Sequence, residues 1–417
     1  MREGKSLQKN ITSSSILTML AILAMIIPIS SSFVSTLSQR HCYDNVARAS
    51  ATILPRLFIS SDVSNLLYEE QESIIVRRGM LEESLLTNVT PLLAPQIKVR
   101  GTGKAGGFGN PASGGGGSGR STTSSSKAEG REHAKVMVRE GVLRIDDVIS
   151  TATVDELRDH LYTLRQTSEK EIATGKIRPI QRFAQVLLKR NRCDLTIPLG
   201  VPGHEIITVA LEEIICNSPI GSTISSILGK DAILHELSCL ISDPGSQRQV
   251  IHPDTPYVDG DGGDRPAVLT CFVALQDITV DMGPTIWLPK THNKVSHDMF
   301  TNSMMGSGSK DGESSPKDIL ISTHPGPVMG LLPEGSCVIF DSRILHCGSA
   351  NRSMASRALF YFSFKDSSVG YAGNPQSIRM ELGKAKVTLG ELIDDLTTFD
   401  MGRGSSPMID KLGSQIR

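Results

Sequence analysis

A chain of 417 residues can hold one large domain or two ordinary ones, and 39% hydrophobic with 21% charged residues suits a globular protein. The formal net charge of −1 supplies no global field for nucleic acid or an acidic membrane, so no nucleic-acid partner is expected. The seven cysteines (Cys42, Cys193, Cys216, Cys239, Cys271, Cys337 and Cys347) never form a CxxC pair, which argues against a zinc ribbon or a thioredoxin-like motif.

The N-terminus reads as a targeting segment. Arg2, Lys5 and Lys9 precede a charge-free stretch from Ile11 to Gln39. Its apolar heart, Ile16 to Ile29, has the length of a signal-peptide core and is short for a spanning helix. Ser30, Ser31 and Ser32 offer small residues before a cleavage site. Phe33 to Arg56 then holds three arginines and one acidic residue, Asp44. That pattern resembles the two-part presequences of algae with complex plastids. Delivery to the secretory pathway or to a complex plastid is expected. An uncleaved membrane anchor is the alternative, and this segment is where any membrane association is expected. Residues 1–56 are therefore set aside as presequence.

Residues 57–130 read as a poorly ordered segment and linker. Within Gly101 to Ser126, 16 of 26 residues are Gly or Ser, with almost no apolar surface to bury. The main domain is placed at residues 131–400, followed by a flexible tail over 401–417. Val136 to Ile145 reads as a helix end, a Gly turn and a strand. Thr153 with Glu156 fits a helix start, and Leu157, Leu161 and Leu164 share one face of a helix to about Lys170. Further helical regions are expected over Ile180–Arg190 and Gly203–Asn217, the latter with Ile207, Leu211, Ile214 and Ile215 at helical spacing. Beyond Ile233 the texture changes to short apolar runs between Gly, Pro and Asp turns. These are Ile233–Ile241, Gln249–His252, Ala267–Leu275, Thr285–Leu288, Ser336–Phe340, Ile344–His346 and Arg357–Phe364. Helices first and many short strands after predict an α+β fold with a jelly-roll or barrel core buttressed by N-terminal helices. Val387 to Leu396 has helical spacing.

The stretch Gln249 to Tyr257 carries the chemistry. In a strand, positions i and i+2 share a face, so His252 and Asp254 can aim an imidazole and a carboxylate at one point. That is two-thirds of a metal site of two histidines and one carboxylate. Among the ten histidines, His346 stands out because it ends Gly335 to His346, a turn followed by two buried strand pieces. In a jelly roll the first and last core strands lie side by side, so residues 252 and 346 can meet. His204 and His235 each precede a glutamate but have no second histidine at i+4, so structural or surface roles are expected. His292, His297 and His324 fall near loops and read first as surface residues, with lining the site entrance as the alternative. Arg357 opens a strand on whose face Leu359, Tyr361 and Ser363 also lie. A buried guanidinium there needs an anion, and its fork suits a carboxylate; a surface arginine at a strand start is the alternative.

Together these residues resemble the phytanoyl-CoA dioxygenase (PhyH) family of non-haem iron oxygenases that use 2-oxoglutarate. The resemblance rests on His252-Pro-Asp254, Met282 to His292, Gly335 to His346, and Asn351-Arg352-Ser353 with Arg357. The stretch from Glu140 to Val148 is similar to the family's N-terminal strand. It implies a double-stranded β-helix (jelly-roll, cupin-like) core. It implies His252, Asp254 and His346 as Fe(II) ligands and catalytic centre, with Arg357 receiving the far carboxylate of 2-oxoglutarate. It further implies dioxygen and a small-molecule or lipid-like substrate, with ascorbate as a reductant in vitro, and favours hydroxylation or desaturation because Asp254 is present. Gln249 and Thr270 either help hold the metal-bound acid or are ordinary strand polarity; Trp287 reads first as packing. There are two departures. Lys290 stands where the family usually has glycine, and the insert Thr301–Lys317 is polar and Gly/Ser-rich. A zinc enzyme on the same three ligands, which leaves Arg357 without a role, and a non-catalytic jelly-roll binding protein are the competing readings.

Overall fold

The computed structural model describes residue 86 and residues 89–95, 122–186, 190–257, 265–304, 316–323, 326–369 and 374–398. The expected presequence and the C-terminal tail lie outside these residues, as does most of the 57–130 segment. Two pieces of that segment are structured. Strand β1 (Thr90–Pro91) runs parallel to Val328–Met329, and helix α1 (Thr122–Glu140) begins inside the stretch expected to be linker. A two-residue strand has no periodicity to read, and its pairing partner lies more than two hundred residues away.

Gly141, at φ 76, turns the chain from α1 into β2 (Val142–Ile145). Its left-handed backbone is one that L side chains rarely adopt, and a Cβ would meet the His292 ring at 2.3 Å. Helix α2 (Thr151–Ala173) buries Leu157, Leu161 and Leu164 as expected, but its cap is Ser150 rather than Thr153. Thr153 Oγ1 instead donates to Glu213, so a side chain from another element claims the hydroxyl that the local pattern assigned to capping. The helix expected over 180–190 is absent from its described part. Pro179 opens a single 3₁₀ turn, and β3 (Phe183–Ala184) pairs with β4 (Arg192–Thr196). Helix α3 (Glu205–Leu211) continues as a π turn over Glu212–Cys216, and α4 (Pro219–Leu228) follows behind Ser218 as N-cap.

Six strands then come close to expected places: β5 (Ile233–Ser242), β6 (Val268–Ala274), β7 (Thr285–Trp287), β9 (Cys337–Asp341), β10 (His346–Gly348) and β11 (Arg357–Lys365); β8 (Val328–Met329) falls where no run was expected, and the run Gln249–His252 forms no regular strand. Helices α5 (Lys294–Met304) and α6 (Pro316–Thr323) stand between β7 and β8 and form the described ends of the polar insert. Helices α7 (Met380–Ala385) and α8 (Leu389–Thr398) close the described chain.

The strands form two sheets. The larger has the order β2-β9-β6-β11-β5-β4-β3 and is antiparallel; the smaller has the order β1-β8-β7-β10. This is the expected jelly-roll core, with the two sheets remaining separate rather than closing into one barrel. Alternation along each strand divides the larger sheet's side chains between two layers. Ala358, Phe360, Phe362 and Phe364 of β11 pack outward with Leu157, Leu161, Ile207, Leu211 and Leu392 of the helices. Leu359 and Tyr361 pack inward with Phe272, Val338, Phe340 and Trp287. Both faces are covered, so β6 is buried at all seven positions and reads as one apolar run. Among the described residues no helix is long and apolar enough to cross a membrane.

Candidate metal centre

His252 and Asp254 do not lie on a regular strand. Gln249 to Tyr257 is an irregular arm attached to β10 by one antiparallel bridge, His252 to His346. The two residues exchange backbone hydrogen bonds, His252 N to His346 O at 2.9 Å and His346 N to His252 O at 3.0 Å. Asp254 and Thr255 donate their backbone N–H groups to Ser342 O at 2.9 and 3.0 Å. The expected convergence therefore occurs, but tertiary hydrogen bonds hold it rather than strand alternation.

The side chains meet at one point. One ligand atom from each of His252, Asp254 and His346 lies within 4.8 Å of the others. His252 Nε2 is 3.8 Å from Asp254 Oδ1, and His346 Nε2 is 3.6 Å from Asp254 Oδ2. Each imidazole faces a backbone carbonyl two residues earlier, His252 Nδ1 with Val250 O at 2.7 Å and His346 Nδ1 with Ile344 O at 3.0 Å. A carbonyl only accepts, so these contacts place the proton on Nδ1 and leave both Nε2 lone pairs aimed at the shared point. Two imidazole nitrogens and a carboxylate oxygen are a donor set for a divalent metal such as Fe(II). His346 is buried while His252 and Asp254 are partly open, which puts the accessible side of the group at the arm.

Arg357 is buried at 1% exposure, so the surface reading is excluded. Its Nη1 donates to Gly283 O, its Nη2 donates to Ser242 Oγ at 3.2 Å, and its Nε has no acceptor. Among the described residues it has no carboxylate partner. Burial first, and the Arg192 guanidinium second, pull its pKa down to about 9. A buried cation with neutral acceptors fits the far carboxylate of 2-oxoglutarate. Gly283 reaches Arg357 from a left-handed turn at φ 71, packed so closely that a Cβ would lie 2.6 Å from Ala350.

The remaining expectations divide. Gln249 accepts from Gly348 N at 3.0 Å and pins the arm to β10. Thr270 faces inward on β6 opposite Ser363. Trp287 is buried at 1%, pairs with His346 across the strands and lies against Phe340, with its ring 2.8 Å from where a Cβ on Gly330 would stand. His204 pairs with His160 at 2.9 Å and does not join the metal-competent group, nor does His235 on β5. His292 accepts no metal partner there either; its ring lies against Gly141. His324 lies outside the described residues. The surface role expected for His297 is corrected. It is buried, its Nε2 donates to Arg343 O at 2.7 Å, and its Nδ1 accepts from Tyr257 N at 3.1 Å. It ties helix α5 to the end of the arm that carries Asp254, a role with no local sequence signal. Lys290 sits at φ 66, the left-handed region that suits the glycine usual in the family. The next residue, Thr291, accepts from Leu345 N at 2.9 Å, immediately before His346.

This pairing of a two-sheet core with two imidazoles, a carboxylate and a buried arginine defines the class of cupin-like 2-oxoglutarate oxygenases. The chain belongs to the phytanoyl-CoA dioxygenase (PhyH) family, whose model matches residues 137–359. That family uses Fe(II) and 2-oxoglutarate. The match begins within α1 and ends within β11, so it spans all four residues. Solved structures similar to this chain include AviO1 from Streptomyces viridochromogenes Tue57, at 15% identity and TM-score 0.40, covering 58% of this chain and 96% of that one. HygX from Streptomyces hygroscopicus, solved with nickel and 2-oxoglutarate, is similar at 12% identity and TM-score 0.40, covering 58% and 95%. The epimerase SnoN from nogalamycin biosynthesis is similar at 17% identity and TM-score 0.39, covering 58% and 84%. No curated protein matches the chain in sequence.

Proposed function

We propose that this protein is an Fe(II)- and 2-oxoglutarate-dependent dioxygenase that hydroxylates a small-molecule or lipid-like substrate. The observation that carries the reading is the triad of His252, Asp254 and His346, with both Nδ1 atoms turned to backbone carbonyls and both Nε2 atoms turned inward. These three side chains would hold the iron, and Arg357 would take the far carboxylate of the cosubstrate. When bound, iron, 2-oxoglutarate and dioxygen supply the oxidising power, the keto acid leaving as succinate and carbon dioxide while a substrate C–H bond gains oxygen. The protein's own part is positioning. The Val250 and Ile344 carbonyls hold the imidazole tautomers, Ser342 O fixes the Asp254 backbone, and Phe272, Phe340 and Trp287 keep the inner layer dry. A zinc enzyme on the same triad would leave the buried Arg357 guanidinium with nothing to bind.

We place the catalytic domain at residues 131–400 and assign delivery to the secretory pathway or a complex plastid to residues 1–56. The test of function is succinate release from 2-oxoglutarate with Fe(II) and ascorbate across a substrate panel, together with metal analysis after anaerobic reconstitution. Stoichiometric iron and succinate release are expected. Zinc retention, with no binding of 2-oxoglutarate to the iron-loaded protein, would overturn the reading.

A further inference from the structure

Two guanidiniums, rather than one, stand at the inner end of β5. Arg192 on β4 and Arg357 on β11 both lie opposite Ser242, and both donate to its Oγ. Arg192 Nε is 3.1 Å from that atom and Arg357 Nη2 is 3.2 Å from it, so the guanidiniums are within two hydrogen-bond lengths of each other. They are 5% and 1% exposed. Their other acceptors are neutral carbonyls, Gln247 O at 3.0 Å from Arg192 Nη2 and Gly283 O at Arg357 Nη1. Arg192 Nη1 and Arg357 Nε are buried with no acceptor. Among the described residues neither arginine makes an ion pair. Burial lowers the pKa of Arg192 to about 10, and burial with the like charge of Arg192 lowers that of Arg357. Two buried like charges with donors left over are costly unless an anion joins them.

The place is right for one. Gly348 is two residues from His346 on β10, roughly 6.7 Å along a strand. A Cβ at Gly348 would lie 2.7 Å from Gln249 Oε1 and 3.7 Å from Arg192 Nη2, so the missing side chain keeps the Arg192 head within reach of the metal-bearing strand.

We infer that Arg192 is a second positioning residue for the cosubstrate, its far carboxylate held between the Arg192 and Arg357 guanidiniums. The inference rests on the assignment of 2-oxoglutarate to this site. A carboxylate has two oxygens and about four lone-pair positions, enough to accept from both forks. The spare Arg192 Nη1 and Arg357 Nε are the donors it would satisfy.

The test is calorimetric binding to the full-length protein loaded anaerobically with Mn(II). Two ligands are compared: 2-oxoglutarate, and 2-oxopentanoate, which has the same keto-acid end and no far carboxylate. Wild type should prefer 2-oxoglutarate strongly. Arg192→Gln should weaken 2-oxoglutarate binding by about 10- to 100-fold and leave 2-oxopentanoate unchanged. Arg192→Lys, which keeps the charge but loses the fork, should give a smaller loss with the same selectivity, and it serves if the glutamine variant does not fold. An equal loss for both ligands would show that Arg192 only braces Ser242 and Gln247, and no loss for either would show that it is idle; each sinks the inference. If wild type itself fails to distinguish the two acids, the cosubstrate assignment falls, and that failure is visible before any variant is made.

Discussion

The inner face of the larger sheet has two polar ends, and they are built differently. At the carboxyl end, Asp194 accepts from Tyr361 OH at 2.8 Å and from Ser377 Oγ at 2.9 Å. Glu236 accepts from Ser363 Oγ at 2.7 Å and from Asn374 N at 3.3 Å. The donors come from within the chain. At the arginine end, Arg357 and Arg192 meet only neutral acceptors and keep donors with none. Both ends bury charge-bearing groups at similar depth, so depth alone does not mark a site. The difference is in what the fold supplies: each carboxyl draws two donors from neighbouring residues, whereas neither guanidinium meets an anion among the described residues.

The contrast can be broken in several places. The largest effect is expected at the metal. His346→Ala removes a ligand on rigid backbone, and succinate release should fall below detection together with bound iron, measured by metal analysis. Next, Arg357→Ala should raise the 2-oxoglutarate concentration needed for half-maximal rate by about 10- to 100-fold, with much of the rate recovered at saturation. Wild-type behaviour would mean that the arginine end is architecture too.

At the carboxyl end the expected effect is one of pH. Burial first, and the Asp254 charge second, push the Glu236 carboxyl up to about 8. Between the ordinary glutamate range and pH 8 the native state therefore holds a proton that the unfolded chain has released. The sign follows: stability of the metal-free protein should decline as pH rises through that window. Glu236→Gln should flatten the decline, by on the order of a few kcal/mol at its upper end, as read from denaturant midpoints at several pH values. A variant with the same slope as wild type would show that Glu236 is ionised throughout. The smallest effect is expected at Lys290. Its left-handed backbone costs roughly 1–2 kcal/mol, partly offset by the entropy that glycine would lose on folding. Lys290→Gly should stabilise by about 0.5–1 kcal/mol and raise Tm by roughly 1–4 °C.

What the sequence makes legible follows from how local each signal is. β5, β6, β9 and β11 are long runs buried on both sides, and their extent reads almost to the residue. His252, Asp254, His346 and Arg357 are legible because their spacing and order resemble a family pattern. A shared strand face does not position His252 and Asp254; a single bridge to β10 and the Ser342 carbonyl do. Arg192 is silent in sequence because Arg-Cys-Asp-Leu-Thr mixes polar and apolar residues as an exposed edge strand would. His297 is silent because its two partners, Tyr257 and Arg343, are distant in the chain. Helices α5 and α6 flank the polar insert, and their few apolar anchors, Phe300, Leu320 and Ile321, lie just outside it and find their partners only in the folded core.

The reciprocal backbone pair between His252 and His346 has a further consequence. Two amide protons are locked in one closed ring, so the arm cannot lift without exposing both to solvent in a single event. Deuterium uptake at these two amides should therefore proceed at one common rate and slow together when iron is added, a direct clock for the opening of the site.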